Sequence, residues 1–461
     1  MDGVTFALSD LPSRTPDAPY RSSQRIDPFW DGLWHHGSDA NWVSRNRLER
    51  LEKSGVVGRR PARLNVNPDE AWARFENGGM GLNDWQMALD ILGALASWRT
   101  LTAEQFSALT GRDLNSSSGR RVLSDLFAMG LIDEGSIWTP NAGNDSERAR
   151  MLRPASGDVF ETRVAPLLSY AEATSITGGG DYAHGGQYDR HNILTMELIL
   201  RAAEHLNLGT VLGEQQAVLN DLAFTSAGLE IPAHMTGSRQ IGDAVIIRPD
   251  GVRIVIEMTS SWSRGATAKA EQWAHTLARR PFDDSGLIVL FVVADRASAG
   301  ENSGRKMKLD RKVRNELSRI TRLVAPGRPG NRTAERMFVT EWKTLFPERH
   351  AVSADFLELT AQRPTGTAPD GSVVWENASL LDTSTLPTPS VSRDLQSVIH
   401  ASAGLRLVPR HIRDARKPPR LANIAVQRAG FDGIPHIILD PTTGAPRDTP
   451  PPSKIPERLL F

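Results

Sequence analysis

Asp243 and Glu257 stand on either side of a strong turn signal, Arg248-Pro249-Asp250-Gly251, and each interrupts an otherwise apolar stretch. With the loop centred on Asp250, residue i pairs with residue 500 − i, which sets Asp243 opposite Glu257. Such partners share one face of a sheet, with Cα atoms roughly 4.5–5.5 Å apart. Two carboxylates that close repel each other unless a cation lies between them or one keeps a proton. Mg²⁺ suits the arrangement, because it takes one or two carboxylates, keeps several waters and draws further ligands from phosphate oxygens. An ion so held polarises a phosphoryl group and activates water. Glu214, just after the preceding strand, adds a third acid. Lys269 lies three residues before Gln272 and four before Trp273, and brings an ammonium for developing negative charge. The predicted chemistry is Mg²⁺-assisted phosphodiester cleavage, with Asp243 and Glu257 as metal ligands and Lys269 and Glu214 completing the catalytic set. A slip of one residue in the hairpin would put the two acids on opposite faces.

The elements that must position these groups run from residue 190 to 295. His191–Leu206 has helical spacing, and Thr210–Leu212 starts a strand. Ile241–Ile247 and Val252–Met258 are the hairpin strands, with apolar neighbours Val245, Ile247, Ile254, Val255 and Ile256. Ala266–Arg279 is a helix, and Gly286–Ala294 is a continuous apolar strand, central and buried on both faces. The order is helix, three strands, helix, strand. The last strand needs its helical crossover to lie parallel to a hairpin member.

Upstream, Leu82–Leu95 is a helix by its apolar spacing. Thr102-Ala103-Glu104-Gln105 opens a second helix that stops at Gly111, and Asn115–Met129 is a third, ended by Gly130. The segment LIDEGSIW then reads as a short hairpin turned at Glu134-Gly135. Three helices and a hairpin match a winged helix-turn-helix layout. The third helix opens with Asn115, Ser116, Ser117, Ser118, Arg120 and Arg121, small polar and cationic groups suited to phosphates and base edges. Asn115, Ser117, Arg120 and Arg121 are therefore the expected DNA contacts. A winged helix used for protein contacts is the plainer alternative.

Taken in order, these motifs resemble a known family. Asp243 and Glu257-Met258-Thr259 on a hairpin, then a helix and an apolar strand, look like the PD-(D/E)xK restriction-endonuclease-like core. With the winged helix ahead of it, the helix opening at His191, Gly242-Asp243-Ala244, and Lys269 four residues ahead of an aromatic, residues 82–295 resemble the replication-relaxation proteins of plasmids and mobile elements. The resemblance implies metal-binding roles for Asp243 and Glu257, an auxiliary acid at Glu214, a phosphate-facing Lys269, and the family histidine at His191. Thr259 departs from it, standing where the motif has Lys. Either Lys269 has taken over that charge, or the core is degenerate and grips DNA without cutting it, as a regulator or replication accessory factor would.

The remaining sequence sets bounds. The chain has 461 residues, 54 Lys+Arg against 54 Asp+Glu, and no cysteine, which excludes disulfide frameworks, zinc ribbons and thiol nucleophiles. The balance hides local asymmetry: Arg305–Arg336 holds 11 Lys/Arg against 3 Asp/Glu, with Met307, Leu309, Val313, Leu317, Ile320 and Leu323 at helical spacing. Arg311 and Lys312 are its expected DNA contacts, and a second basic stretch follows at Arg406–Arg428. Residues 1–80 read as a partly ordered arm whose Trp30, Trp34 and Trp42 dock on the chain's own core. The adjacent His35 and His36 lack a third metal ligand at sensible spacing. Residues 141–189 read as a linker with one amphipathic stretch, Val159–Ala173, and a glycine-rich loop without Walker spacing. The nuclease-like domain spans 190–345 and an irregular C-terminal extension 346–461, ending in a proline-rich tail. The fold class expected is multidomain α/β. The expected setting is the cytoplasm, with double-stranded DNA as partner, no membrane, and a protein contact through the Trp-rich arm or the tail.

Overall fold

The computed structural model describes residues 4–15, 17–34, 38–56, 65–138, 150–182, 189–217, 242–295 and 308–416. His35, His36, Arg305–Met307, most of the second basic stretch and the proline-rich tail lie outside the described residues. The architecture is mixed α/β.

The N-terminal part contributes β1 (Thr5–Ala7), β2 (Asp39–Val43), α1 (Arg45–Lys53) and α2 (Pro68–Glu76). Next comes α3 (Leu82–Trp98), almost wholly buried because its apolar residues run round the whole helix. After the short β3 (Leu101–Thr102), Thr102 caps α4 (Ala103–Thr110), and the Gln105 side chain completes the reciprocal capping box. Ser116 caps α5 (Ser117–Ala128), and Gly130 follows it with φ 73°.

The expected turn at Glu134-Gly135 is absent. Ile132–Trp138 is one uninterrupted strand, β4, pairing with β2 on one side and with β5 (Arg150–Pro154) on the other. Gly135 is there for close approach: a Cβ at that position would lie 2.6 Å from the Trp42 ring carbon Cε3. Together these strands form a four-stranded sheet of order β2-β4-β5-β3. The stretch Val159–Ala173 is also not one helix. It breaks at Leu168, and Ser169 starts α6 (Tyr170–Thr177) with a capping box of its own.

The main sheet is built from α7 (Asp189–His205), β6 (Thr210–Gly213), β7 (Ala244–Ile247), β8 (Arg253–Thr259), α8 (Arg264–Arg279), β9 (Leu287–Val293), α9 (Leu309–Arg319) and β10 (Met337–Glu341). After β11 (Ala351–Ser353), the hairpin β12 (Thr360–Thr367) and β13 (Val373–Ser379) completes it. The seven strands lie in the order β13-β12-β10-β9-β8-β7-β6. β6, β7 and β8 are antiparallel neighbours, whereas β8, β9 and β10 are parallel, β9 being central as expected. Residues 346–379 are therefore not irregular. They include the last two strands of this sheet, β13 at its edge, and further helices α10 (Ser397–Ser402) and α11 (Arg410–Arg416) follow.

The N-terminal arm is packed into the molecule. Phe29 and Trp34 are buried, the Trp34 indole N–H donates to the Ala294 carbonyl at 3.0 Å, and the Trp42 N–H donates to Asp189 at 2.8 Å. Arg25 meets Glu197 at 3.0 Å, and Arg201 bridges Asp27 at 2.8 Å and Glu197 at 3.0 Å, all four side chains buried. β1 pairs with β11. Among the described residues no helix is long and apolar enough to cross a membrane.

Candidate active site

The turn Arg248–Gly251 is closed by the Gly251 N–H to the Arg248 carbonyl at 2.9 Å, and it sets the register of the β7–β8 hairpin. Every pair in that ladder, Ala244↔Ile256 to Ile247↔Arg253, obeys the expected sum. The paired register ends there: Asp243, one residue beyond it, donates its N–H to the Ile256 carbonyl at 3.0 Å and not to Glu257, and the two acids meet through their side chains at Lys269. On the other side β6 pairs Gly213 with Ala244, so the next step sets Glu214 beside Asp243. Three acids thus come to one end of three adjacent strands.

Lys269, from α8, lies between the two central carboxylates: its Nζ is 2.6 Å from Glu257 Oε2 and 3.6 Å from Asp243 Oδ1. His191, in the first turn of α7, places Nε2 2.9 Å from Asp243 Oδ2, and that oxygen also accepts the Met258 N–H at 2.7 Å. One turn beyond Lys269, the Trp273 indole N–H donates to Glu257 Oε1 at 2.7 Å. All four carboxylate oxygens are therefore engaged. Glu214 is instead held by Arg99, whose Nε lies 2.6 Å from its Oε2.

The electrostatics divide the pair. Burial would raise the Asp243 pKa, but His191 and Lys269 outweigh it and hold the carboxyl well below the usual range. Burial and the Asp243 charge together push Glu257 up to about 7, against the pull of Lys269. Burial would lower His191, yet Asp243 leaves it raised, and Lys269 is likewise raised by the two acids against its burial. Burial also raises Glu214, opposed by Arg99. Glu257 is thus the proton-accepting member of the pair and Asp243 the standing anion. The Lys269 side chain stays 31% exposed while that of Glu257 is 6%, so the ammonium is the part of the cluster that meets solvent.

The donor set suits a hard divalent cation: carboxylate oxygens on neighbouring strands, with water making up the rest. Among the described residues no group of three or more His, Cys, Asp or Glu side chains is arranged to hold a metal ion. Thr259, at the motif lysine position, is buried, and its hydroxyl turns back to the Glu257 carbonyl at 3.4 Å.

The expected DNA contacts fall elsewhere. Asn115, Ser117, Arg120 and Arg121 lie at the exposed N-terminal end of α5. Arg121 and Ser118 are tied to Asp84 of α3, and Asn115 donates to the Tyr20 hydroxyl at 2.9 Å. Arg311 and Lys312 are exposed on α9, and Lys312 Nζ donates to the Trp262 carbonyl at 2.9 Å, just beyond the end of β8 that carries Glu257. Val313, Leu317 and Ile320 are buried as expected, but Leu323 is 68% exposed. Trp273 and Arg99 were missed as partners of the acids. Trp273 had a signal, its one-turn spacing from Lys269. Arg99 had none, since its positive φ of 60° and its reach to Glu214 arise only from the chain reversal after α3.

No protein-family model, curated protein or solved structure matches this chain.

Proposed function

We propose that this chain is a DNA-binding protein of plasmid or mobile-element processing that nicks or cleaves a DNA strand at Asp243, Glu257 and Lys269. In this reading α3–α5 with the β4–β5 hairpin form a winged helix, and α7–β9 form a PD-(D/E)xK-like core of the replication-relaxation kind. The observation that carries it is Lys269 reaching both Asp243 and Glu257 at the end of the β7–β8 hairpin. A buried acid pair is costly, and a lysine brought from a following helix restores the cation that Thr259 lacks.

Mg²⁺ held by Asp243 and Glu257 would supply Lewis-acid polarisation of a phosphoryl oxygen. Lys269, already charged and partly exposed, stabilises negative charge on the phosphate. His191 fixes one Asp243 oxygen, and the Trp273 N–H fixes the orientation of Glu257. Arg99 and Glu214 flank the site as a charge pair.

The test is nicking of supercoiled plasmid with Mg²⁺ or Mn²⁺. Glu257→Ala should lower the rate by about 10²-fold or more while leaving DNA affinity intact. One observation favours a second reading, a non-catalytic DNA-binding regulator: each carboxylate oxygen already has a protein partner. Absence of cleavage with every metal, together with salt-dependent DNA binding, would establish that alternative.

A further inference from the structure

A cavity of about 560 Å³ opens between the N-terminal half of α3, the end of α4, α6 and the segment that leads into α11. Asp90, at mid-α3, lies nine residues before Arg99, about 13 Å along the helix axis from the acid cluster. Arg112, Arg406, Arg410 and Arg413 line the cavity, opposed only by Asp90 and Asp414 among its acids. Asp90 is fully used: Oδ2 lies 2.5 Å from Arg112 Nε, and Oδ1 lies 2.5 Å from Arg406 Nη1. Arg406 is fixed further by the Gln86 side-chain oxygen at 2.7 Å. Arg410 holds Asp414 at 3.3 Å in a half-exposed pair. The buried Nε of Arg413 has no acceptor among the described residues.

Four guanidinium groups against two carboxylates leave the cleft two positive charges in excess. Burial, helped by the neighbouring Arg406 and Arg410 charges and opposed by Asp90, lowers the proton affinity of Arg413. Like-charge crowding in an open cleft is relieved by an anion with several acceptor oxygens. Gln86 and Asp90 set Arg406 and Arg112 in fixed orientations, so two of the forks are held in place beforehand.

We propose that this cleft binds a phosphate-bearing anion, with Arg413 and Arg410 as its specificity-determining contacts. The site is independent of the nuclease reading, because neither Asp243 nor Glu257 lines it. A phosphate of this kind comes either from a free phosphorylated small molecule or from a nucleic-acid backbone.

The experiment is calorimetric titration of the full chain with pyrophosphate and, separately, with a DNA duplex. Both are done in EDTA, so that no metal bridges the ligand to the carboxylates. Arg413→Gln and Arg410→Gln should each weaken binding by about tenfold or more, and Arg413→Lys by less, because it keeps the charge and loses the fork. Melting of the unliganded variants checks the fold, and Arg410→Gln, at an exposed position, is the safeguard should Arg413→Gln melt early. A duplex that displaces pyrophosphate and is weakened by the same substitutions marks the backbone as the source. Pyrophosphate binding that the duplex leaves untouched marks a small molecule. If neither titrant loses affinity in the arginine variants, or if Arg349→Gln, at an exposed arginine paired with Asp31 outside the cleft, costs as much, the proposal is overturned.

Discussion

At the residue scale, the acid pair makes a pH prediction whose sign is fixed by Glu257. Its folded-state pKa is raised from 4.5 to about 7, so its contribution to stability is present below about pH 4.5 and is lost as pH rises through 7. Glu257→Gln mimics the protonated acid and carries no such loss. In EDTA, urea unfolding should find the glutamine variant gaining on the parent between pH 5 and pH 8, by about 3 kcal/mol at most. A gap that stays constant with pH would place the proton elsewhere. Lys269→Ala should act in the opposite sense, destabilising by about 1–3 kcal/mol at pH 8, because it leaves two buried carboxylates without their shared cation. The lower end of that range is expected, since the lysine is partly exposed and screened by water. The same unfolding experiment at pH 5 should find a smaller loss.

At the scale of elements, Gly135 is the sharpest test. Gly135→Val would drive branched carbons into the Trp42 indole and should cost about 1–3 kcal/mol, read as a lower melting temperature. The same residue explains why the β4 hairpin was misplaced. A glycine at a turn and a glycine beneath a ring are the same letter, and the ring that decides lies 93 residues earlier in the chain. The β7–β8 hairpin was legible because its determinant is local: Arg248-Pro249-Asp250-Gly251 sets the turn, and the turn sets the register from Ile247↔Arg253 to Ala244↔Ile256. The helix cap at Thr102 was legible for the same reason. Arg99 against Glu214, the Trp273 N–H on Glu257 and the β12–β13 hairpin at the edge of the sheet all depend on packing between distant segments. Spacing alone does not carry them.

At the scale of the whole molecule, one continuous buried cluster runs from Leu8 to Ile412 and includes residues of both sheets. The charges inside it should be felt globally. Arg25→Ala would leave Glu197, whose pKa is held down to about 2 chiefly by Arg25 and Arg201 against its burial, with Arg201 as its remaining cation, and should cost about 3 kcal/mol at pH 7, the lower end for a broken buried pair. Because that pKa is lowered, the penalty should be full above about pH 4.5 and shrink as pH falls towards 2, which unfolding at pH 3 and pH 7 would compare. Reach sets a further expectation. Asp84, which anchors Arg121 at the start of α5, is fifteen residues from Arg99 on the same helix, about 22 Å along its axis. A duplex touching both α5 and the acid cluster must span roughly seven base pairs or more, so affinity measured against duplex length should rise steeply near that size. The pairing of Thr5 with Ser353 carries one more consequence. During synthesis at about 5–20 residues per second, β1 must wait roughly 20–70 s for its mate β11 to leave the ribosome. A strand made so far ahead of its partner is thus late to settle, and chaperones have that interval in which to hold it.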